Sequence, residues 1–446
     1  MTSMAGEAPA SYEVLVALDR AHLLHPLHHP VDHAEPLIFV RGEGAILTDV
    51  RGRTYIDGLS GLWNVTLGHG RRELAEAAAR QAETLAFTSA YAGASNVPAI
   101  ELASRIAHLT PPGLHTVFFT TGGGESNDSA LKTARYYWHR LGKSHKVKFI
   151  SRRLAYHGVT IGSMSATGLP NYWTGFEPRT PGFIHIIPPY PYRLAGDAAQ
   201  ALEEAILQEG PENVAAFIAE PVQGAGGVIV PPDDYFPRVR EICTRYEVLF
   251  IADEVITGFG RTGRWFGINN WDVVPDMITF AKGITSGYQP LGGMIINEKI
   301  YDVIMSAPPD ERWMHAYTYS AHPVCCAVGL ATLDILEKER LIERAGELGR
   351  LFHAELERLY ELEHVGEVRG LGLMQAVELV ADRTTKEPFP PERNVGGRVI
   401  REAIARGLFT RARGDVILLA PPFVTTEEQI RRIAAILHEA IQAATA

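Results

Sequence analysis

Met277-Ile-Thr-Phe-Ala-Lys282-Gly283 is a short run of apolar and β-forming residues that ends in one lysine and then a glycine. It predicts a buried strand that stops at Lys282, with a turn directly after it. The ammonium is thereby delivered to the carboxyl edge of a parallel sheet, which is where α/β proteins put ligands. A lysine that loses water there has a lowered pKa and becomes an amine nucleophile toward a carbonyl group. The plain alternative is a strand-terminal lysine in solvent, so the neighbouring segments decide.

Upstream, Val248-Leu-Phe-Ile-Ala252-Asp253-Glu254 is a fully apolar strand ending in two carboxylates, and helix Tyr235 to Tyr246 precedes it. Ala215 to Ala219 is another strand, ending at Glu220-Pro221-Val222-Gln223-Gly224-Ala225-Gly226-Gly227. Phe149-Ile150 begins a further strand, followed by Ala155-Tyr156-His157-Gly158. Thr116 to Thr120 feeds into Thr121-Gly122-Gly123-Gly124-Glu125 and a helical run from Ser126 to about Leu141. A strand, a glycine turn and a helix bring free backbone N–H groups and a positive dipole end against a phosphate. No Lys-Ser/Thr follows the glycines and the dinucleotide spacing is missing, so neither nucleotide-loop pattern applies.

Strands alternating with helices at this spacing predict an α/β fold, with a large domain whose mainly parallel sheet is covered by helices on both faces. Ahead of it, Ile38 to Val40, Ala45 to Asp49 and Thr54 to Asp57 read as a small antiparallel meander, and helices are expected over Arg71–Leu85 and Val97–Leu109. The glycine-rich loop Gly58 to Gly70 carries Leu62 and Trp63, which either plug a core or line a pocket. From about Ala327 the texture changes to amphipathic helices such as Leu330 to Leu362, a strand pair around Val365 to Val380 and a helix from Asn394 to Arg406. Ile430, Ile433, Leu437 and Ile441 mark one face of a last helix. The expected division is 1–64 for an N-terminal segment packing with the small domain, 65–326 for the large domain and 327–446 for a smaller α+β domain.

A chain of 446 residues has room for two lobes around a substantial core. Its net charge of -10 argues against nucleic acid or an anionic membrane as the main partner. Only three cysteines occur, no basic leader precedes the apolar run Val14 to Leu18, and no apolar stretch is long enough to span a bilayer; a soluble cytoplasmic protein is expected. The tract holding His22, His25, His28, His29 and His33 matches no metal-ligand spacing, so no metal is expected.

Three strand ends together supply a phosphate cradle at Gly123-Gly124, an acid at Asp253 and a lysine at Lys282. Pyridoxal phosphate needs all three: a helix N-terminus for its phosphate, a carboxylate for its ring nitrogen and an amine for its aldehyde. Asp253 could otherwise cap the next helix.

Ala252-Asp-Glu-Val255-Ile-Thr-Gly-Phe-Gly-Arg-Thr-Gly263, Ala281-Lys-Gly283 and Gly292-Gly293 resemble the signature of the class III pyridoxal-phosphate-dependent aminotransferases. Glu220-Pro-Val-Gln-Gly, Tyr156-His-Gly and His315-Ala-Tyr-Thr318-Tyr-Ser-Ala-His-Pro323 resemble other blocks of that family. The resemblance implies a fold type I homodimer, or a dimer of such dimers, with active sites shared between subunits. It implies that Gly123 and Gly124 hold the phosphate, that Tyr156 and Val255 pack on opposite faces of the ring, that Gln223 reaches the ring hydroxyl and that Thr318 of the partner subunit bonds the phosphate. It also implies that His157 and Glu220 lie with the cofactor-binding set, the role of Glu220 being left open. Relatives commonly carry serine where this chain has Gly122 and Gly124, which removes hydroxyls from the cradle and leaves backbone donors, Thr121 and Thr318.

His25-Pro-Leu27, Gly61-Leu-Trp63, Gly224-Ala-Gly-Gly227 and Phe409-Thr-Arg411-Ala-Arg413-Gly-Asp415 before Ala420-Pro-Pro422 are most similar to the amine:pyruvate, or ω-transaminase, branch. That likeness implies that Arg411 binds a substrate carboxylate, with Arg413 as the competing candidate and a solvated basic turn as the plain alternative. Leu62, Trp63, Tyr91, Tyr156 and Ala225 would line the substrate pockets. The implied activity is transfer of an amino group from a primary amine, diamine or ω-amino acid to a keto acid such as pyruvate. Lys282 would shuttle the substrate proton. An aminomutase or epimerase of the same family, or a catalytically silent binding protein, are the alternatives.

Overall fold

The computed structural model describes residues 11–27, 29–31 and 35–446, with the backbone alone for Ala92. His28 and His33 of the histidine tract lie outside the described residues. The chain opens with helix α1 (Tyr12–His22) and the meander β1 (Phe39–Glu43), β2 (Ile46–Asp49) and β3 (Thr54–Asp57). Helices α2 (Ser60–Trp63), α3 (Arg72–Thr84) and α4 (Val97–Leu109) lead to β4 (Leu114–Thr120) and α5 (Gly123–Arg140). Then come β5 (Lys148–Arg152), α6 (Ile161–Ala166), β6 (Phe183–Ile186), α7 (Ala198–Glu209), β7 (Val214–Ala219) and α8 (Tyr235–Arg245). They are followed by β8 (Leu249–Asp253), β9 (Met277–Phe280), β10 (Gly292–Asn297) and α9 (Glu298–Met305). The last third holds α10 (Pro323–Lys338), α11 (Leu341–Glu357), β11 (Val365–Leu371), β12 (Met374–Leu379) and α12 (Val395–Ala405), then β13 (Leu408–Phe409), β14 (Arg411–Arg413), β15 (Val416–Leu419) and α13 (Glu427–Thr445).

A seven-stranded sheet in the order β4-β10-β9-β8-β7-β5-β6 forms the centre. Strands β6, β5, β7, β8 and β9 are mutually parallel. Every residue of β7, β8 and β9 is buried, as expected for strands covered on both faces. The sheet is the α/β architecture expected from the apolar runs. Strand β10, unforeseen in the sequence, runs antiparallel to both β4 and β9. Its glycine pair disguises it: a Cβ on Gly293 would meet the Phe280 ring at 2.5 Å and the Phe118 carbonyl at 2.7 Å, so the strand must be bare there.

Several expected boundaries move. Helix α1, unforeseen in the sequence, has as its cap Ser11, which accepts from the Val14 N–H at 3.4 Å. The stretch from Leu330 to Leu362 is not one helix: α10 starts at Pro323, and Arg340, at φ 51, breaks it from α11. The helix after the glycine turn starts at Gly123, three residues before Ser126. The N-terminal meander joins the far end of the chain, because β3 pairs in parallel with β13, Leu408 opposite Ile56.

Arg261 ties these distant segments together. Fully buried, it donates from Nη1 to the Pro421 carbonyl at 2.7 Å and the Leu373 carbonyl at 3.2 Å, and from Nη2 to Ser60 Oγ at 3.1 Å. Its guanidinium lies over the Phe423 ring at 4.8 Å, and burial pulls its pKa down to about 9. Arg261→Leu leaves three buried acceptors without a donor, at about 1–3 kcal/mol each. A lower thermal unfolding midpoint, by about 5 °C or more, is expected; a midpoint equal to wild type would show that those acceptors find other donors.

Candidate active site

The carboxyl ends of β8 and β9 adjoin, since Asp253 pairs with Thr279. Asp253 is the last residue of β8, and Lys282 lies two residues beyond β9, at φ 48 in the left-handed region. A non-glycine residue held there carries local backbone strain, a frequent feature of functional positions. Both side chains line a cavity of about 630 Å³. Burial lowers the Lys282 pKa, and the charges of Asp253 and Glu220 raise it in part.

Asp253 is anchored at both oxygens. Oδ2 accepts from His157 Nδ1 at 2.7 Å and from Asn127 Nδ2 at 2.8 Å, while Oδ1 accepts from the Val255 N–H at 3.1 Å. Asn127 also donates to the His157 carbonyl at 2.7 Å and accepts from the Thr279 hydroxyl at 2.7 Å. Asn127 went unnoticed in the sequence. Its signal was available: it lies on the first turns of α5, directly after the glycine cradle, where a buried asparagine needs partners.

The cradle has the shape of an anion site. Helix α5 starts at Gly123 and its N-cap residue, Gly122, supplies no side-chain hydrogen bond, so the first N–H groups of the helix are open toward the cavity that Gly122, Gly123, Gly124 and Thr160 line. A Cβ on Gly123 would meet Val255 Cγ1 at 2.8 Å, which requires glycine there. A Cβ on Gly158, at φ 119, would meet Gly124 Cα at 2.8 Å. Thr121 is engaged elsewhere, its N–H and hydroxyl both donating to Glu125 Oε2, at 2.9 and 2.8 Å.

Glu220 is buried and accepts from the Tyr156 N–H at 3.0 Å and the Gly224 N–H at 2.9 Å. Burial raises its pKa, and the nearby Asp253 adds to the rise. Tyr156 lines the cavity with its ring 5.3 Å from that of Tyr172.

Gly123, Gly124, Tyr156, His157, Glu220, Asp253, Val255 and Lys282 therefore share one cavity wall. Others of the expected set stand off it. Gln223 is buried behind it, donating to the Arg153 carbonyl at 3.1 Å, with Oε1 unpaired. Trp63, expected at a substrate pocket, is 3% exposed and joins the hydrophobic core, because Gly61 and Trp63 both take positive φ and turn the ring inward. Its neighbour Asn64 reaches the cavity instead. Leu62, Tyr91, Thr318 and Arg411 are exposed and Ala225 is half-buried, all outside this chain's own cavity wall. The charge of Arg411 nevertheless acts on Tyr156.

The unpaired His157 Nε2, the open helix terminus, the anchored carboxylate and the desolvated lysine form a set that fits a phosphate-bearing aromatic aldehyde. Among the described residues no group of three or more His, Cys, Asp or Glu is arranged to hold a metal ion.

The sequence profile described as Aminotransferase class-III matches residues 28–441. The chain belongs to that family. This class III aminotransferase is 41% identical over 426 residues to the putrescine–pyruvate aminotransferase of Pseudomonas aeruginosa, covering 93% of this chain and 92% of that one. It superposes at a TM-score of 0.93 on a thermostable (S)-enantioselective omega-transaminase from Thermomicrobium roseum, 50% identical, covering 97% of this chain and 98% of that one. The Pseudomonas jessenii omega-transaminase in complex with PMP gives the same TM-score of 0.93 at 40% identity, covering 97% and 98%. A fold shared over that length makes the class III aminotransferase a fold type I enzyme.

Proposed function

We propose that the enzyme moves an amino group from a primary amine, diamine or ω-amino acid to a keto acid such as pyruvate, using pyridoxal 5′-phosphate held in the cavity. The observation that carries this reading is the pairing of a desolvated lysine with an anchored carboxylate on adjacent strand ends, beside an open helix N-terminus. The putrescine–pyruvate and omega-transaminase relatives support amine donors and favour transfer over the aminomutase alternative. The PMP complex of one relative supports the cofactor.

Bound there, pyridoxal phosphate supplies a carbonyl that takes up and returns the amino group and a ring that draws electrons from the substrate carbon. The N–H groups of Gly123 and Gly124 would hold its phosphate, joined by Thr318 of the partner subunit. Asp253 would keep a proton on the ring nitrogen, with His157 and Asn127 holding that carboxylate in place. Tyr156 and Val255 would confine the ring between them, and Gln223 Oε1 would accept from the ring hydroxyl. Glu220 would orient the Tyr156 backbone. Lys282 Nζ would take the proton from the substrate carbon and return it.

Arg411 would bind the carboxylate of the acceptor, since its fork matches a carboxylate bidentately. Leu62, Trp63, Tyr91 and Ala225 would shape the pockets, Trp63 from behind. A homodimer with shared sites is supported by Tyr91, Met314 and Tyr319, which are 54%, 80% and 57% exposed on the chain alone. The division 1–64, 65–326 and 327–446 is retained as a proposal, with α10 straddling its second boundary. Three free, buried cysteines support a reducing, cytoplasmic location, and among the described residues no helix is long and apolar enough to cross a membrane.

A panel of amines assayed against pyruvate, with alanine as the product measured, tests the reaction. Amine consumption that needs no keto acid would replace it by the isomerase reading. Arg411→Ala is expected to raise KM for pyruvate at least about tenfold more than KM for a carboxylate-free amine, the pattern of lost uniform binding. Equal changes for both substrates would give Arg411 a structural part instead.

A further inference from the structure

Strand β10 lies between β4 and β9 in the central sheet, with Gly292 opposite Thr120 and Gly293 opposite Phe280. Over Gly292 two buried hydroxyls meet: Thr120 Oγ1, at the end of β4, and Ser126 Oγ, on the first turn of α5, are 2.8 Å apart. Ser126 Oγ is also 3.1 Å from the Phe280 carbonyl, at the end of β9, and 2.9 Å from the Gly122 carbonyl in the cradle turn. Thr120 Oγ1 stands 3.2 Å from that same Gly122 carbonyl. A Cβ on Gly292 would meet Ser126 Oγ and Thr120 Oγ1 at 2.8 Å and the Phe280 carbonyl at 2.9 Å, so the junction exists only because β10 is bare there.

Each hydroxyl has one proton to give. With Ser126 turned to Phe280, the proton between the two oxygens comes from Thr120, and the Gly122 carbonyl keeps the Ser126 N–H at 3.0 Å. A one-way chain then runs from β4 through α5 to β9. Gly122 opens the cradle and Phe280 stands two residues ahead of Lys282, so this one hydroxyl ties the phosphate end of the cavity to its lysine end. The two ends otherwise sit on separate elements, α5 and the turn after β9. A ligand gripped at both ends binds tightly only when the grips are already held at its own length, because the ordering cost is then met before binding.

We propose that Ser126 is a positioning residue for the cofactor, setting the span between the phosphate cradle and Lys282. This rests on the reading of the cavity as a pyridoxal-phosphate site. The test is an absorbance titration of the full-length chain, freed of cofactor, with three probes. Pyridoxal phosphate would use both grips; pyridoxal, and inorganic phosphate read by its competition with pyridoxal phosphate, would use one each. Ser126→Ala is expected to raise Kd for pyridoxal phosphate about fivefold or more, the scale of one buried hydrogen bond, and to change Kd for each one-grip probe less than about twofold. Gly292→Ala, which drives a methyl into the junction, is expected to weaken pyridoxal phosphate with the same selectivity, and the two substitutions together less than additively. Weakening of all three probes by one factor would mean a general loosening of the fold, and weakening of phosphate as much as pyridoxal phosphate would confine Ser126 to the cradle; either result, or an unchanged Kd for pyridoxal phosphate, overturns the span. Should Ser126→Ala fail to accumulate, Thr120→Val decides, since it keeps the side-chain volume and removes the proton given to Ser126. The same selectivity is expected of it, and its absence overturns the proposal. The cofactor reading fails separately, on a wild type that takes up no pyridoxal phosphate.

Discussion

Lys282→Ala is expected to lower steady-state turnover by about 10³-fold or more, since a positioned acid–base group contributes about 10²–10⁴-fold and this amine is also the one suited to react with a carbonyl. The fold is expected to survive. Among the described residues the Lys282 side chain makes no hydrogen bond, and burial already works against its charge, so its removal leaves few contacts broken. The unfolding midpoint of the variant should equal or exceed that of wild type, as happens when a group kept for activity at the expense of stability is removed. An added small amine such as methylamine should restore part of the turnover by diffusing into the vacated volume. A variant that keeps multiple turnovers unaided would show that another group moves the proton; one that melts well below wild type would mean that the activity was lost with the fold.

Asp253→Asn is the second large effect. The substitution nearly preserves shape but removes the charge to which His157 Nδ1, Asn127 Nδ2 and the Val255 N–H are directed. One amide oxygen can serve only part of that set, and the new NH₂ group faces other donors. Loss of a preorganised electrostatic partner costs about 10²–10³-fold in kcat, and KM for the amine should move much less. Asn127→Ala, which leaves the charge in place but frees Oδ2 from one donor, should cost less than Asp253→Asn. A kcat for Asp253→Asn within about threefold of wild type would remove the carboxylate from the chemistry.

Much of this site could be read from the chain because strands buried on both faces have an unambiguous signature. The runs read as ending at Ala219, Asp253 and Lys282 became β7, β8 and β9, the last stopping at Phe280, two residues short of Lys282, which starts the following turn. The glycine run after β4 was legible as a turn between a strand and a helix, and the structure shows a steric need for glycine at Gly123, where a Cβ would meet the Val255 side chain. Strand β10 was not legible, because its glycines are explained only by what crosses them in the fold, the Phe280 ring at Gly293 and the Thr120 and Ser126 hydroxyls at Gly292. Trp63 was left open between core and pocket, and two positive φ angles put it in the core.

Local pattern alone was enough for the α/β class, for the delivery of Lys282 and Asp253 to strand ends and for the phosphate-type turn, since each depends on periodicity and turn chemistry within a dozen residues. Strand order, the partnership of Asn127 with Asp253, the pairing of β3 with β13 and the reach of Ser126 to the Phe280 carbonyl came only from the folded chain. Those are contacts between segments up to hundreds of residues apart. Which of them meet depends on how whole layers pack and on which buried polar groups find partners, and neither is written in any single stretch of sequence.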